Sequence, residues 1–490
     1  MLLALGCAPA FSQDAKSVIT ESSQAMGLNG VTSLYYYGAG AQYSLGQNNN
    51  SNGPWPKTPV NDYTRAIDFN GPATRATWIT YAAPVTGGPA VLGNGQQSAA
   101  ANAAWAQQLE IWITPWGFIK GAAANGATLS RRTMNGKRYR VLTWKAPVQS
   151  PGGRNYELTG YINADGLVER VETRLDHNVF GDMLVEAEYT FWRDNNGFKF
   201  PSEIVQKRHG WPVFDLQVLG AWPNPSKIAS LMAAPAPAGG ARGGGPPGAG
   251  PARAGGPGAA PAPGASEKLA DGVYRIRGAY NSLAVEFADH VVLVEPGPQS
   301  EARTLQGIDE VKKLFPGKPI RYGVPTHHHI DHTGGIAAAA STGMTIVTPE
   351  INKVYFEKAL NAPRTLAPDA LSKSGIKPKV EGFKGDKRVF SDATRTLEIH
   401  VIKGLPHADG IIVAWLPKEK ILVYADMFNY PPANAPVPDP PVVGTQVFMR
   451  EIERLGFDQP GTRILSIHNM NPDKLVTVQE IRDSLGTNKL

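Results

Sequence analysis

The chain has 490 residues, room for two or three domains with sizeable cores. Its net charge of +6 comes from scattered Lys and Arg. With no basic block and no aromatic-interleaved patch, that charge excludes a nucleic-acid module. No apolar run reaches the length that spans a bilayer, and a single cysteine, Cys7, excludes a disulfide framework.

Residues 1–13 form an apolar stretch with small-x-small sequences at Ala8-Pro9-Ala10 and Ala10-Phe11-Ser12, the pattern that ends a secretory signal. No basic stretch precedes it, so the natural start is expected upstream and the protein in the periplasm or secreted. Gly6-Cys7 also allows a lipoprotein anchor at Cys7, though Ala4-Leu5 fit that signal poorly.

Residues 14–231 read as an antiparallel β-rich α+β domain. An amphipathic helix is expected over Ala15–Met26, and period-2 alternation follows. Val185, Ala187, Tyr189 and Phe191 would face one way, against Glu186, Glu188 and Thr190. Leu167, Val171 and Leu175 oppose Arg170, Glu172 and Arg174 in the same manner. Asn195-Asn196-Gly197 and Asn163-Ala164-Asp165-Gly166 are hairpin turns. Nearly all the tryptophans lie here, from Trp55 to Trp222, so a curved sheet around an apolar interior is expected. Tyr189 to Pro201 resembles the half-barrel of periplasmic lipoprotein carriers, which implies room for a hydrophobic ligand. The plainer expectation is a scaffold with an aromatic core. His177 and His209 are read as ordinary residues of this domain.

Residues 232–267 are a linker. From Ala233 to Ser266 the chain is almost entirely Ala, Gly and Pro, broken by Arg242 and Arg253. Such a composition cannot bury enough apolar surface to offset its ordering entropy, so a disordered, partly extended tether is expected. It would impose no fixed arrangement on the domains either side.

Residues 268–490 carry the chemistry. Ile320, Tyr322 and Val324 alternate as a strand, and Thr326-His327-His328-His329-Ile330-Asp331-His332-Thr333-Gly334-Gly335 follows, leading into a small-residue helix. Imidazole and carboxylate are ligands that zinc prefers. On an extended segment His327 and His329 point the same way, while Asp331 and His332 sit at a turn where they can face a second ion. His328 would point away, as a supporting or surface residue; His290 and His400 lie outside the motif and read as ordinary. Two ions need more ligands, and the sequence supplies His407, Asp426 and His468, each beside an apolar strand, expected at the strand's carboxyl end.

Residues 268–470 resemble the metallo-β-lactamase superfamily, through Gly272-Val273-Tyr274-Arg275-Ile276, Asn281-Ser282-Leu283-Ala284-Val285, Val291 to Gly297 and the histidine motif. The resemblance implies an α/β fold, an αββα sandwich with a dinuclear site at one edge. It further implies that His327, His329 and His407 hold one zinc, that Asp331, His332 and His468 hold the other, and that Asp426 bridges them. This chain has Glu295-Pro296-Gly297 where the family has Asp-x-Gly, and Asn469 where a glycine follows the last histidine. In the lactamases that use a cysteine ligand, that cysteine stands where this chain has Asp426, and their lysine stands at Asn429. The expected function is therefore a hydrolase with two zinc ions, using a metal-bridging hydroxide on a small-molecule ester, thioester, lactone or phosphoester, with Asp331 orienting the nucleophile or carrying its proton. The alternatives are a β-lactamase, or a ligand or lipid carrier with a vestigial metal domain.

Overall fold

The computed structural model of the protein describes residues 14–82, 90–233, 265–431 and 436–486. The signal segment and residues 234–264 of the expected linker lie outside the described residues. The linker's two ends are structured: a short helix runs Ile228–Met232 and a strand begins at Ser266. Ser266 to Lys268 lie against Tyr274 to Ile276 in antiparallel register, so cross-strand pairing overrides composition at that end.

The N-terminal part opens with the helix Ala15–Ala25, capped by Asp14, whose side chain accepts from Ser17 N at 2.8 Å. Eleven antiparallel strands follow in one sheet. Its order runs Val91–Ala99, Ala73–Ala82, Lys57–Asp68, Ser33–Tyr43, Trp211–Pro223, Phe198–Arg208, Gly181–Asn195, Val168–His177, Asn155–Ile162, Lys137–Gln149, Thr128–Met134. Nearly all neighbours are joined by hairpins, and the first strand pairs with the last. At one such turn Asn196 and Gly197 both have positive φ, 53° and 85°, as a two-residue hairpin matched to strand twist requires. Helices Trp105–Trp112 and Pro115–Ala124 pack on the sheet and bury Trp116 and Phe118 completely.

The alternation expected for Val185 to Phe191 breaks at both ends of its logic. Phe191 has a φ of 53° and the residue is 75% exposed, because the left-handed backbone turns it out of the pleat. Glu186 is buried, since Arg170 pairs with it. Elsewhere in this part a cavity of about 60 Å³ is lined by Tyr63, Trp78 and Phe214 together with Arg65, Glu110 and Arg208. Its lining is partly charged, with Arg65 bonded to Tyr63 and Glu110.

The C-terminal part is an α/β sandwich of four layers. Seven strands, from Ser266–Ala270 to Lys379–Phe383, form one sheet; five, from Lys387–Ser391 to Arg463–Ser466, form the other. Val285, Val292 and Val294 meet Leu397, Ile399 and Val423 in the apolar layer between them. Helices Glu301–Leu314 and Glu350–Asn361 cover the first sheet, and Val443–Arg454 and Val478–Ser484 the second. Covered on both faces, Val291–Val294 is a fully buried run rather than an alternating one.

The two parts are docked. Arg364 donates to Asn178 O at 2.8 Å and Val179 O at 3.2 Å. Asp182 in return accepts from Thr365 N, Thr365 Oγ1 and Leu366 N at 2.7–3.0 Å. Phe180 meets Tyr355 edge-on, and one hydrophobic cluster runs unbroken through the contact. A tether alone would fix no arrangement; these bonds do. Among the described residues no helix is long and apolar enough to cross a membrane.

Candidate metal centre

The strand Ile320–Val324 delivers the chain to the edge of the sandwich. There Thr326 N donates to Glu295 Oε2 at 2.9 Å, and Ile412 N of the other sheet donates to Thr326 O at 2.9 Å. The extended segment ends in a helical turn, Ile330–Thr333, that carries Asp331 and His332. The glycine pair after it is a packing requirement. A Cβ on Gly335 would lie 2.0 Å from Thr304 Oγ1, and one on Gly334 2.1 Å from Gln299 O, so neither position admits a side chain.

The structure brings all seven expected residues together. Three groups have ligand atoms within 4.8 Å of one another: His327, His329 and His407; His327, His332 and Asp426; Asp331, His332 and His468. The groups overlap at His327 and His332 and so form one continuous centre. His327 Nε2 lies 3.3 Å from His407 Nε2, and His332 Nε2 lies 3.2 Å from His468 Nε2. Around an ion with bonds of about 2.0–2.1 Å, such spacings correspond to a near-tetrahedral angle. Asp426 sits between the halves: Oδ2 is 2.8 Å from His332 Nε2 and 3.6 Å from His327 Nε2, and Oδ1 is 2.9 Å from His468 Nε2.

One buried atom tests whether a cation fits. His329 Nδ1 has no hydrogen-bond partner. His329 Nε2 is occupied by Asn48 O at 3.1 Å, which leaves Nδ1 as the atom free for an ion. A buried imidazole nitrogen with no partner is costly unless something positive lies against it, and His327 and His407 offer ligand atoms within 4.8 Å of one from His329. The groups are positioned to hold a metal.

The supporting residues are distinct in each half. His332 Nδ1 donates to Glu295 Oε1 at 2.6 Å, both groups fully buried, so a carboxylate fixes the ring and turns Nε2 to the site. Tyr280 OH donates to Asp331 Oδ2 and Gln47 Nε2 to Asp331 Oδ1, each at 2.8 Å. Asp426 and Glu295 both have positive φ, 58° and 56°, strain the surrounding packing must hold.

Charge follows the same division. Burial holds the His327 and His329 imidazoles well below the ordinary value, with neighbouring histidines adding to it, so both are neutral and fit to ligate. Burial lowers His407 as well. His332 goes the other way: burial opposes its charge, but Asp426, Glu295 and Asp331 together outweigh that and raise it well above 6.5. Burial alone would raise Asp331 and Asp426, yet the charge of His332 and the hydrogen bonds they accept keep both below the usual carboxylate range. Tyr280 is pushed up by burial and by Asp331 and stays protonated as a donor.

His407 departs from its expected place. It lies in the loop between Thr396–Val401 and Ile412–Leu416, ahead of the second strand rather than at its carboxyl end. Asp426 and His468 do follow their strands, Ile421–Tyr424 and Arg463–Ser466. His328 is fully buried rather than at the surface, with Nε2 2.7 Å from Asn48 O. His290 and His400 bond their neighbours Asp289 and Glu398, away from the centre. Sequence reasoning missed Tyr280, Gln47 and Asn48. Glu295 was legible as an oddity ending an apolar strand, but its partner was not.

Residues 275–453 match the family model described as the metallo-beta-lactamase superfamily, a span that includes six of the seven residues and ends before His468. The 2,4-dinitroanisole O-demethylase subunit alpha of Nocardioides sp. (strain JS1661) is 26% identical over 183 residues, 36% of this chain. The match spans about half, 48%, of that relative's length. Among solved structures, a metallo-beta-lactamase from Pontibacter korlensis is 20% identical, covering 46% of this chain and 99% of its own, with a TM-score of 0.33. The metallo-beta-lactamase FIM-1 of Pseudomonas aeruginosa is 19% identical over 45% of this chain and 92% of its own, with a TM-score of 0.32. The sec-alkylsulfatase Pisa1 of Pseudomonas sp. is 18% identical over 45% and 40%, with a TM-score of 0.31.

Proposed function

We propose that the C-terminal region, which is of the metallo-beta-lactamase superfamily, is a binuclear zinc hydrolase acting on an ester, thioester, lactone or phosphoester. The observation that carries this reading is the sharing of Asp426: one carboxylate reaches histidines of both halves, through Oδ2 to His327 and His332 and through Oδ1 to His468. His327, His329 and His407 would hold one zinc, Asp331, His332 and His468 the other, and Asp426 would bridge. Bound there, the metals supply a water acidified toward neutral pH and a Lewis acid for the substrate oxygen.

The chain's own residues do the rest. Asp331 is ionised and gripped at both oxygens by Tyr280 and Gln47, so its orientation is fixed before substrate arrives. Its role is to accept a hydrogen bond from the nucleophilic water and aim it. Glu295 holds the His332 Nδ1–H and fixes the ring's direction, so that Nε2, once deprotonated, would meet the zinc. The burial of His327 and His407 keeps bulk water from one side of the centre.

Asp426 favours this class over lactam hydrolysis by the cysteine-ligand enzymes, since a carboxylate takes that position here. The test is zinc content followed by a substrate panel. The full chain is expected to bind two zincs, falling toward one in His329→Ala, with turnover of an ester, thioester, lactone or phosphodiester lost in that variant. The panel also takes a cephalosporin and, from the likeness to the O-demethylase subunit, 2,4-dinitroanisole. Zinc-free protein after supplementation would overturn the metal reading; rapid turnover of the cephalosporin or the aryl ether alone would overturn the substrate class.

A further inference from the structure

We propose that residues 46–49, the part of the N-terminal loop that meets the histidine motif, are a working part of the metal centre, with Gln47 and the Asn48 carbonyl as positioning groups and this segment closing the His327/His329/His407 side. This rests on the zinc-hydrolase reading above. It gives the N-terminal sheet a function that neither its own sequence nor the family's sandwich contains.

The loop joins Ser33–Tyr43 to Lys57–Asp68 and leaves the sheet to reach the histidine motif. Gly46 O accepts from Ile330 N at 3.3 Å, and Gln47 Nε2 donates to Asp331 Oδ1 at 2.8 Å. Asn48 O lies 2.7 Å from His328 Nε2 and 3.1 Å from His329 Nε2. One residue further, Asn49 O accepts from Asp409 N at 2.7 Å, two residues beyond His407. Four consecutive residues thus grip two of the three histidine-bearing segments.

The chemistry is specific at each contact. A histidine that ligates through one nitrogen needs its other N–H held, by a carboxylate or carbonyl, to fix tautomer and ring angle. Glu295 does this for His332 from within the sandwich. For His329 the acceptor is Asn48 O, which comes from the other domain. Likewise Asp331 has one oxygen held by Tyr280 of the sandwich and the other by Gln47 of the loop. The loop's approach is built in: Gly46 has a φ of 72°, and a Cβ there would lie 2.2 Å from Ile330 Cγ2.

The loop also decides where substrate can arrive. The side chains of His327 and His407 are 0% and 7% exposed, whereas those of His468 and Asp331 are 29% and 28% exposed. With Asn48 against His329 and Asn49 against Asp409, beside that buried pair, approach is left to the His468 side.

The test uses the full chain, Gln47→Leu, Gly46→Ala and, at the exposed tip, Asn52→Ala. Gln47→Leu should lower zinc affinity and kcat about 10- to 100-fold, the usual cost of a lost supporting contact, with KM within about threefold. The visible absorption of the cobalt-loaded variant should shift, which a change of overall stability would not produce. Gly46→Ala should act in the same direction and Asn52→Ala should match wild type. In the wild type, hydrogen exchange across residues 44–49 should slow when zinc is added. If zinc affinity, cobalt spectrum and kcat of Gln47→Leu and Gly46→Ala stay within twofold of wild type, or exchange in the loop ignores zinc, the loop is mere packing and the inference fails. A wild-type chain that binds no zinc would instead overturn the metal reading on which it rests.

Discussion

The two halves of the centre are built from the same chemistry by different means. The half around His332 and His468 is supported chiefly from inside its own sandwich, by Glu295 and Tyr280, with Gln47 of the N-terminal loop as one outside contact to Asp331, and stands partly open. The half around His327, His329 and His407 is buried, and its supporting carbonyl comes from a loop some 280 residues away in sequence. In the first half Glu295 and Tyr280 hold their partners without the neighbouring domain, and Gln47 adds one contact that depends on it. A half that borrows its support is coupled to the docking of that domain, so the contact through Arg364 and Asp182 bears on the chemistry as well as on shape.

That contrast can be broken most severely at the residue common to both halves. Asp426→Ala should remove the shared carboxylate, leave His327 and His332 facing one another without it, and abolish tight binding of both ions. The activity lost should exceed the roughly 100-fold typical of a lost supporting contact; metal analysis after dialysis checks it, and retention of two ions would refute the bridging role.

The next effect separates the halves. Glu295→Gln keeps the size but removes the charge that holds His332, and should weaken metal about 10- to 100-fold at one site only. Calorimetric titration should then resolve one affinity that moves and one that does not. Equal weakening of both would mean that the halves are not independently supported.

The smallest effect probes the contact that the closed half depends on. His177 sits beside it, its Nδ1 accepting from Val179 N at 3.1 Å and Phe180 N at 3.2 Å. Desolvation, with Arg208, Arg364 and His209 nearby, pulls its pKa down to about 3. The folded form therefore binds the proton more weakly than the unfolded form. Stability from this group is complete above the ordinary value of 6.5 and declines as pH falls toward about 3, by on the order of 1 kcal/mol per pH unit. In denaturant titrations of the metal-free protein, His177→Asn should flatten that slope between the two values; an unchanged slope would place the acid sensitivity elsewhere.

Much of this was legible in the sequence, for identifiable reasons. Hairpin signals such as Asn195-Asn196-Gly197 are local, because a two-residue turn needs φ above zero and few residues supply it. The His327 to His332 spacing is also local, since an extended segment followed by a helical turn orients those side chains with no outside help. His407, Asp426 and His468 could be picked out because each stands beside an apolar strand. Phe191 could not be placed, since its outward turn depends on one left-handed residue inside an otherwise regular strand.

The sequence by itself determined the inventory: seven ligand-type side chains, the Asp426 carboxylate among them. The tertiary structure decided how that inventory is held. Gln47 and Asn48 lie in a polar loop, Leu45 to Pro56, whose composition marks only a turn, and a backbone carbonyl has no sequence signature at all. Glu295 and His332 lie 37 residues apart, and their pairing exists only because the strand Val291–Val294 and the segment after Ile320–Val324 end side by side. Ligand identity is a property of single residues. Support for a ligand is a property of neighbours, and only folding makes neighbours.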